Sequence, residues 1–135
     1  MKIIIATGLR GEMQFNKRRV SRDEYLIDDI MKLTGGKLTL KPYSAKLFAG
    51  YPAVKISDSP LSALACDEWC FVEDEDVEKL ISCAQTLVIY NFNRTYPSDV
   101  KFDTVPTEIG FKIAEIKDFA GHSHDKITRV TYERI

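Results

Sequence analysis

Both histidines of the chain fall in one short stretch, Gly121-His122-Ser123-His124-Asp125-Lys126. Histidine is the side chain whose ordinary pKa lies near neutrality, so such a pair can take and return a proton in that range. With the adjacent carboxylate, the stretch is a candidate for general acid and base work on a phosphodiester or acyl group. In that reading His124 moves the proton, Asp125 orients it and His122 assists. Two ring nitrogens and one carboxylate do not specify a metal, so none is expected. The bland alternative is a plain hairpin turn.

Two other stretches carry usable groups. Thr7-Gly8-Leu9-Arg10-Gly11 continues to Asn16-Lys17-Arg18-Arg19, two glycines followed by a run of cations, and could cradle a phosphate with Thr7 and Arg10. It matches neither the dinucleotide fingerprint nor the P-loop motif, so no nucleotide cofactor of those types is expected. Asn91-Phe92-Asn93-Arg94-Thr95-Tyr96-Pro97-Ser98-Asp99 offers the planar fork of Arg94, suited to a phosphate or carboxylate. Asn93 and Tyr96 could orient such a ligand, although Asn, Pro and Asp also make ordinary turns.

Weaker candidates are Ser44 with Lys46, better explained by a helix cap at Ser44, and the cysteines. Cys66, Cys70 and Cys83 form no Cys-x-x-Cys pair and read as reduced, largely buried thiols. The acids Glu73, Asp74, Glu75 and Asp76 suit the positive end of a helix dipole better than a metal site.

The elements that must position these groups alternate between strand and helix. Ile3–Ala6 is a buried first strand. Ser21 followed by Glu24 predicts a capping box, with Val20 and Tyr25 as its apolar staple. The stripe Leu26, Ile30, Leu33 predicts a helix stopped by Gly35-Gly36. Residues 37–41 alternate as a strand, residues 44–49 suggest a helical turn, 53–57 a short strand, and 61–65 a short helix behind Ser59-Pro60. Residues 70–72 form a brief strand, Val77–Ala84 a helix, and Thr86–Tyr90 the most apolar strand, as a central parallel strand should be. Residues 91–103 read as loop, and 111–119 with 126–134 as an antiparallel hairpin. The expectation is one α/β domain, residues 1–135, in two or three layers, with a mixed, mainly parallel sheet and a C-terminal antiparallel hairpin. In such sheets ligands bind where strands end, which is where the three polar stretches lie.

Nineteen Lys and Arg against twenty Asp and Glu give a net charge of -1. No global field therefore recruits nucleic acid or anionic membrane, and any anion site must be local. No run reaches the roughly 20 apolar residues of a membrane span, and the N-terminus lacks a signal peptide's apolar stretch, so a cytoplasmic location is expected.

The phrases Pro42-Tyr43-Ser44-Ala45-Lys46-Leu47-Phe48, Asn93-Arg94-Thr95-Tyr96-Pro97-Ser98-Asp99 and Gly121-His122-Ser123-His124-Asp125-Lys126-Ile127-Thr128 resemble those of a family of short bacterial α/β proteins, some of which carry a ribonuclease Z label. The zinc motif of true ribonuclease Z, His-x-His-x-Asp-His, is absent: His122-Ser123-His124-Asp125-Lys126 lacks the spacer and the last histidine. The leading expectation is a binder or hydrolase of a phosphate-bearing ligand, a nucleotide or RNA, working through Arg10, Arg94 and His124. The alternative is a protein that binds another protein, such as an immunity protein that covers a toxin's active site.

Overall fold

The computed structural model describes residues 1–51, 54–58 and 67–135. Its main sheet has seven strands: β1 (Lys2–Thr7), β4 (Thr39–Leu40), β5 (Lys55–Ile56), β6 (Trp69–Phe71), β7 (Thr86–Asn91), β9 (Phe111–Phe119) and β10 (Ile127–Arg134). Their order is β5-β4-β6-β1-β7-β10-β9. The first five are parallel, and β10 is antiparallel to both β7 and β9. The mixed, mainly parallel sheet with its terminal antiparallel pair is thus the expected one.

β1 sits at the centre because it can be buried on both faces. Ile3 and Ile5 pack one way with Leu87, Val77 and Phe111; Ile4 packs the other way with Val88, Tyr90 and the helix α1 (Glu24–Thr34). Alternation along the strand assigns successive side chains to opposite layers, and burial of large aliphatic groups on both sides supplies most of the driving force. A short helix α2 (Asp76–Leu80) covers the first face, and a 3-10 segment (Pro42–Phe48) lies on the second.

On the α1 side, Arg129 of β10 donates to Asp29 at 2.6 Å and to Glu115 at 2.7 Å, and the Tyr90 hydroxyl donates to Asp29 at 2.7 Å. This partly buried network ties the helix to the antiparallel end of the sheet.

Apart from Ser44, which caps no helix because the 3-10 segment starts at Pro42 and the Ser44 hydroxyl donates to Glu73, two sequence expectations change. The helix is capped by Asp23, whose carboxylate accepts from the backbone of Tyr25 and Leu26, while Gly35 ends it in the left-handed conformation. A carboxylate one residue before the helix takes those donors directly, so Ser21 is not the cap. Tyr25 is exposed and forms no staple with Val20; its ring meets His122 edge-on.

The second change is a small sheet inside what reads as basic loop. β2 (Glu12–Phe15) and β3 (Arg18–Arg19) form a hairpin, joined on the other edge of β2 by β8 (Val100–Lys101). Asn16 and Lys17 both take positive φ, 51° and 64°, the geometry of a tight two-residue hairpin turn. The predicted helix over 61–65 and the start of the 53–57 strand lie outside the described residues.

Gly11 is where the small sheet meets its neighbour. Its φ is +85°, and an added Cβ would lie 2.3 Å from the carbonyl oxygen of Phe102. Gly11→Ala is expected to destabilise the protein by about 3 kcal/mol, since both backbone strain and a backbone clash act together. A urea denaturation midpoint equal to that of the parent would contradict this.

Candidate functional site

The three polar stretches do meet. The amide of Leu9 donates to the carbonyl of Arg94 at 2.7 Å, the side-chain amide of Asn93 donates to the carbonyl of Lys126 at 3.0 Å, and the Tyr96 hydroxyl lies 3.2 Å from Nε2 of His124. The junction is nevertheless not a phosphate cradle. The amides of Gly8, Leu9 and Gly11 are bonded to backbone carbonyls, and that of Arg10 to the Glu12 carboxylate. Glu12 is itself buried and also accepts from the amide of Tyr96 at 2.7 Å. A carboxylate already fills the place where an anion would sit, and its charge would repel another.

Arg10 and Arg94 are exposed, and neither guanidinium has a partner among the described residues. Asn93, at φ 57°, spends its amide on Lys126 and on Thr128. Thr7 is buried and lines the opposite face of the sheet from His124. The acids after β6 are engaged too: Glu73 with Arg19 and Ser44, Asp74 and Asp76 with Lys41. Cys70 is buried with its thiol pushed up to about 12 by burial, which makes it inert; Cys66 lies outside the described residues.

What the fold builds around His124 is different from the expected pairing with Asp125, which is exposed. Nδ1 of His124 lies 2.8 Å from Oδ2 of Asp23, and Nε2 lies 2.9 Å from Oγ of Ser21. The ring stacks on Phe92, with centroids 4.7 Å apart. The His124 side chain is 3% exposed and that of Asp23 fully buried. His122 stands outside this line, exposed beside Glu24 at 3.6 Å.

Asp23 also accepts from the amides of His122 at 2.9 Å, Ser123 at 2.8 Å and Tyr25 at 2.9 Å. Burial alone would raise its pKa, but the bond from His124 and those backbone donors outweigh burial and hold the carboxyl at about 2. An ionised carboxylate only accepts, so the hydrogen on His124 must be on Nδ1. In the neutral imidazole Nε2 then presents its lone pair to the hydroxyls of Ser21 and Tyr96. This is the arrangement of a nucleophile, a base and a carboxylate that fixes the base's tautomer.

The elements explain why these groups coincide. Asp23 is held by the first turn of α1, whose free amides it must satisfy. Ser21 follows the β2–β3 hairpin, and His124 rides the turn between β9 and β10, which closes through a Gly121 amide donating to the His124 carbonyl at 3.0 Å. A Cβ on Gly121 would fall 2.7 Å from that carbonyl oxygen and 2.8 Å from Oδ2 of Asp23. Gly121→Ala should therefore push the turn off Asp23 and cost about 2 kcal/mol, read as a lower thermal midpoint together with loss of any His124-dependent activity.

Solvent reaches the protein beside α1, next to the buried His124 and Asp23 side chains. A cleft of about 460 Å³ is lined by Arg22, Asp23, Lys46, His122 and Ser123, among others. A separate, much smaller cavity lined by Ser21 shares Arg22, Asp23, Ile27 and Leu47 with that cleft. Sequence reading missed Ser21 and Asp23 as site residues. The available signal was that Asp23 stands next to the helix, which makes it the better cap and leaves Ser21 free.

No protein-family model matches the chain, and no curated protein sequence matches it. Among solved structures it is similar to dihydrofolate reductase from Enterococcus faecalis complexed with NADP(H) and RAB-propyl, with a TM-score of 0.64 and 13% identity, over 99% of this chain and 96% of that one. At that identity the likeness is one of fold. Among the described residues no helix is long and apolar enough to cross a membrane.

Proposed function

We propose that this chain hydrolyses an ester of a small phosphate-bearing ligand, with Ser21 as nucleophile, His124 as base and Asp23 as its orienting carboxylate. The observation that carries the reading is the unbroken line from Asp23 through His124 to Ser21, 2.8 Å and 2.9 Å. Cations for the substrate are Arg22 and Lys46 in the adjoining cleft. The structure of similar fold named above is a complex with NADP(H), a phosphate-bearing nucleotide, which supports the ligand class.

In the reaction the Ser21 hydroxyl gives its proton to Nε2 of His124 as Oγ bonds to phosphorus. The imidazolium that forms is stabilised by Asp23, and the proton then passes to the leaving oxygen as its bond to phosphorus breaks. Water repeats the sequence against the seryl ester and restores Ser21. The Tyr96 hydroxyl at 3.2 Å competes with Ser21 for the same lone pair, so Tyr96→Phe is expected to preserve or raise turnover.

The test is labelling with a fluorophosphonate, whose electrophilic phosphorus reports an activated serine, followed by peptide mapping and by turnover of p-nitrophenyl phosphate and bis-p-nitrophenyl phosphate. Label on Ser21 that disappears in His124→Gln supports the reading. Absence of label on a folded protein leaves the three residues as a clamp that pins the β9–β10 turn to α1, and ends the hydrolase assignment.

A further inference from the structure

A second concavity lies on the other face of the sheet. It is a groove of about 330 Å³ at the carboxyl ends of β1 and β7, roofed by the segment 102–106. That volume is at the lower end of small-ligand pockets, and strand ends of an open α/β sheet are where ligands bind. Alternation separates it from the Ser21 site: Ile3 and Ile5 share the layer that faces α2, so Thr7 points the same way, whereas His124 stacks on Phe92 in the α1 layer.

The chemistry of the groove is unusual for this chain. Charged residues are 29% of the sequence, yet none lines the groove. Its floor is Ile89, Val130 and Tyr132, a flat surface of β-branched and aromatic groups. Four polar groups among the lining residues have no hydrogen-bond partner among the described residues: the Thr7 hydroxyl, the Asn91 side-chain NH₂, the Asn93 side-chain oxygen and the Tyr132 hydroxyl. Thr7 is only 3% exposed. Other polar groups of the groove are spent, since Asn91 Oδ1 accepts from the amide of Asn93, the Thr128 hydroxyl donates to Asp118, and that of Thr104 donates to Glu78. Polar groups without protein partners that border an apolar floor are free to pair with a ligand seated on it.

We propose that this groove is a second binding site, taking an uncharged planar heterocycle with mixed donor and acceptor edges, of the nucleobase class. The apolar floor receives the ring face. Thr7 and Tyr132 each donate or accept, and the Asn91 amide donates to a ring nitrogen or carbonyl. The absence of any cation in the lining excludes the phosphate of a nucleotide as the anchoring group here, so recognition is of the base. The site does not depend on Ser21 being a nucleophile.

The experiment is titration of the full chain with adenosine, guanosine, cytidine and uridine and with their 5′-monophosphates, followed by NMR line shape or calorimetry. At least one nucleoside is expected to bind with Kd below about 1 mM, with its monophosphate no tighter. Thr7→Val, Tyr132→Phe and Asn91→Asp, the last of which keeps the acceptor for Asn93, should each weaken binding about 3- to 10-fold at an unchanged thermal midpoint. Ser21→Ala should leave affinity unchanged. No binding at millimolar nucleoside, a monophosphate more than tenfold tighter, full affinity in all three groove variants, or loss of binding in Ser21→Ala would each overturn the proposal.

Discussion

Replacing Asp23 by alanine is expected to lower stability by about 4 kcal/mol, among the largest effects of any single substitution here. The carboxylate is buried and serves two structures at once, capping α1 through Tyr25 and Leu26 and closing the β9–β10 turn through His122, Ser123 and His124. Loss of a cap costs about 1 kcal/mol, and each buried donor left without a partner adds on the order of 1 to 3 kcal/mol, reduced where water can enter. The charge also carries a pH dependence. With the folded pKa at about 2, below the ordinary value of 3.8, the native state binds fewer protons than the unfolded chain across that interval. The resulting stability, about 2 kcal/mol, is fully present above about pH 4. It is lost as pH falls toward 2. Urea denaturation of parent and Asp23→Asn between pH 6 and 2 checks this: the parent should lose stability across that window and the variant should show a shallower slope. Parallel curves would mean that folding does not lower the Asp23 pKa.

Ser21→Ala is expected to reduce turnover by about 10³-fold or more, as removal of a nucleophile does where the remaining groups act only through it. The fold should change little. Ser21 is half-buried, its hydroxyl contacts only His124, and Tyr96 remains to occupy the freed lone pair. A stability change under about 1 kcal/mol is therefore anticipated. His124→Ala would be a poorer test. That ring is packed on Phe92 and bonded on both nitrogens, so its removal confounds chemistry with folding. Turnover of a phosphate ester by Ser21→Ala at the parent's rate, in protein with the parent's thermal midpoint, would remove Ser21 from the mechanism.

Most of the main sheet was legible because its signals are local. The apolar run over 86–90 could only be a buried strand, and Gly35 marked the end of α1 correctly. The β2–β3 hairpin was not legible as strand, because its cations read as a solvated run and its turn is Asn16-Lys17 rather than the commoner Asn-Gly. The cap of α1 was misplaced by two residues for a similar reason. Ser21 and Asp23 are both capping residue types; Asp23 stands directly before the helix and takes its amides, and the β9–β10 turn then adds its own donors to the same carboxylate.

The same division runs through the site. Residue types alone determined that the chain would form an α/β sheet, that both histidines would lie in the 121–126 turn, and that strand-end loops would carry the polar groups, because periodicity and side-chain chemistry are properties of short segments. Tertiary structure decided the partners. It supplied Asp23 in place of Asp125, since the turn's amides need the carboxylate that already caps the helix. It placed the buried Glu12 where an anion had been expected, and it put Thr7 on the opposite face from His124. Those outcomes depend on contacts between residues up to 101 positions apart, and a buried charge settles where most donors converge, a condition that no local window contains.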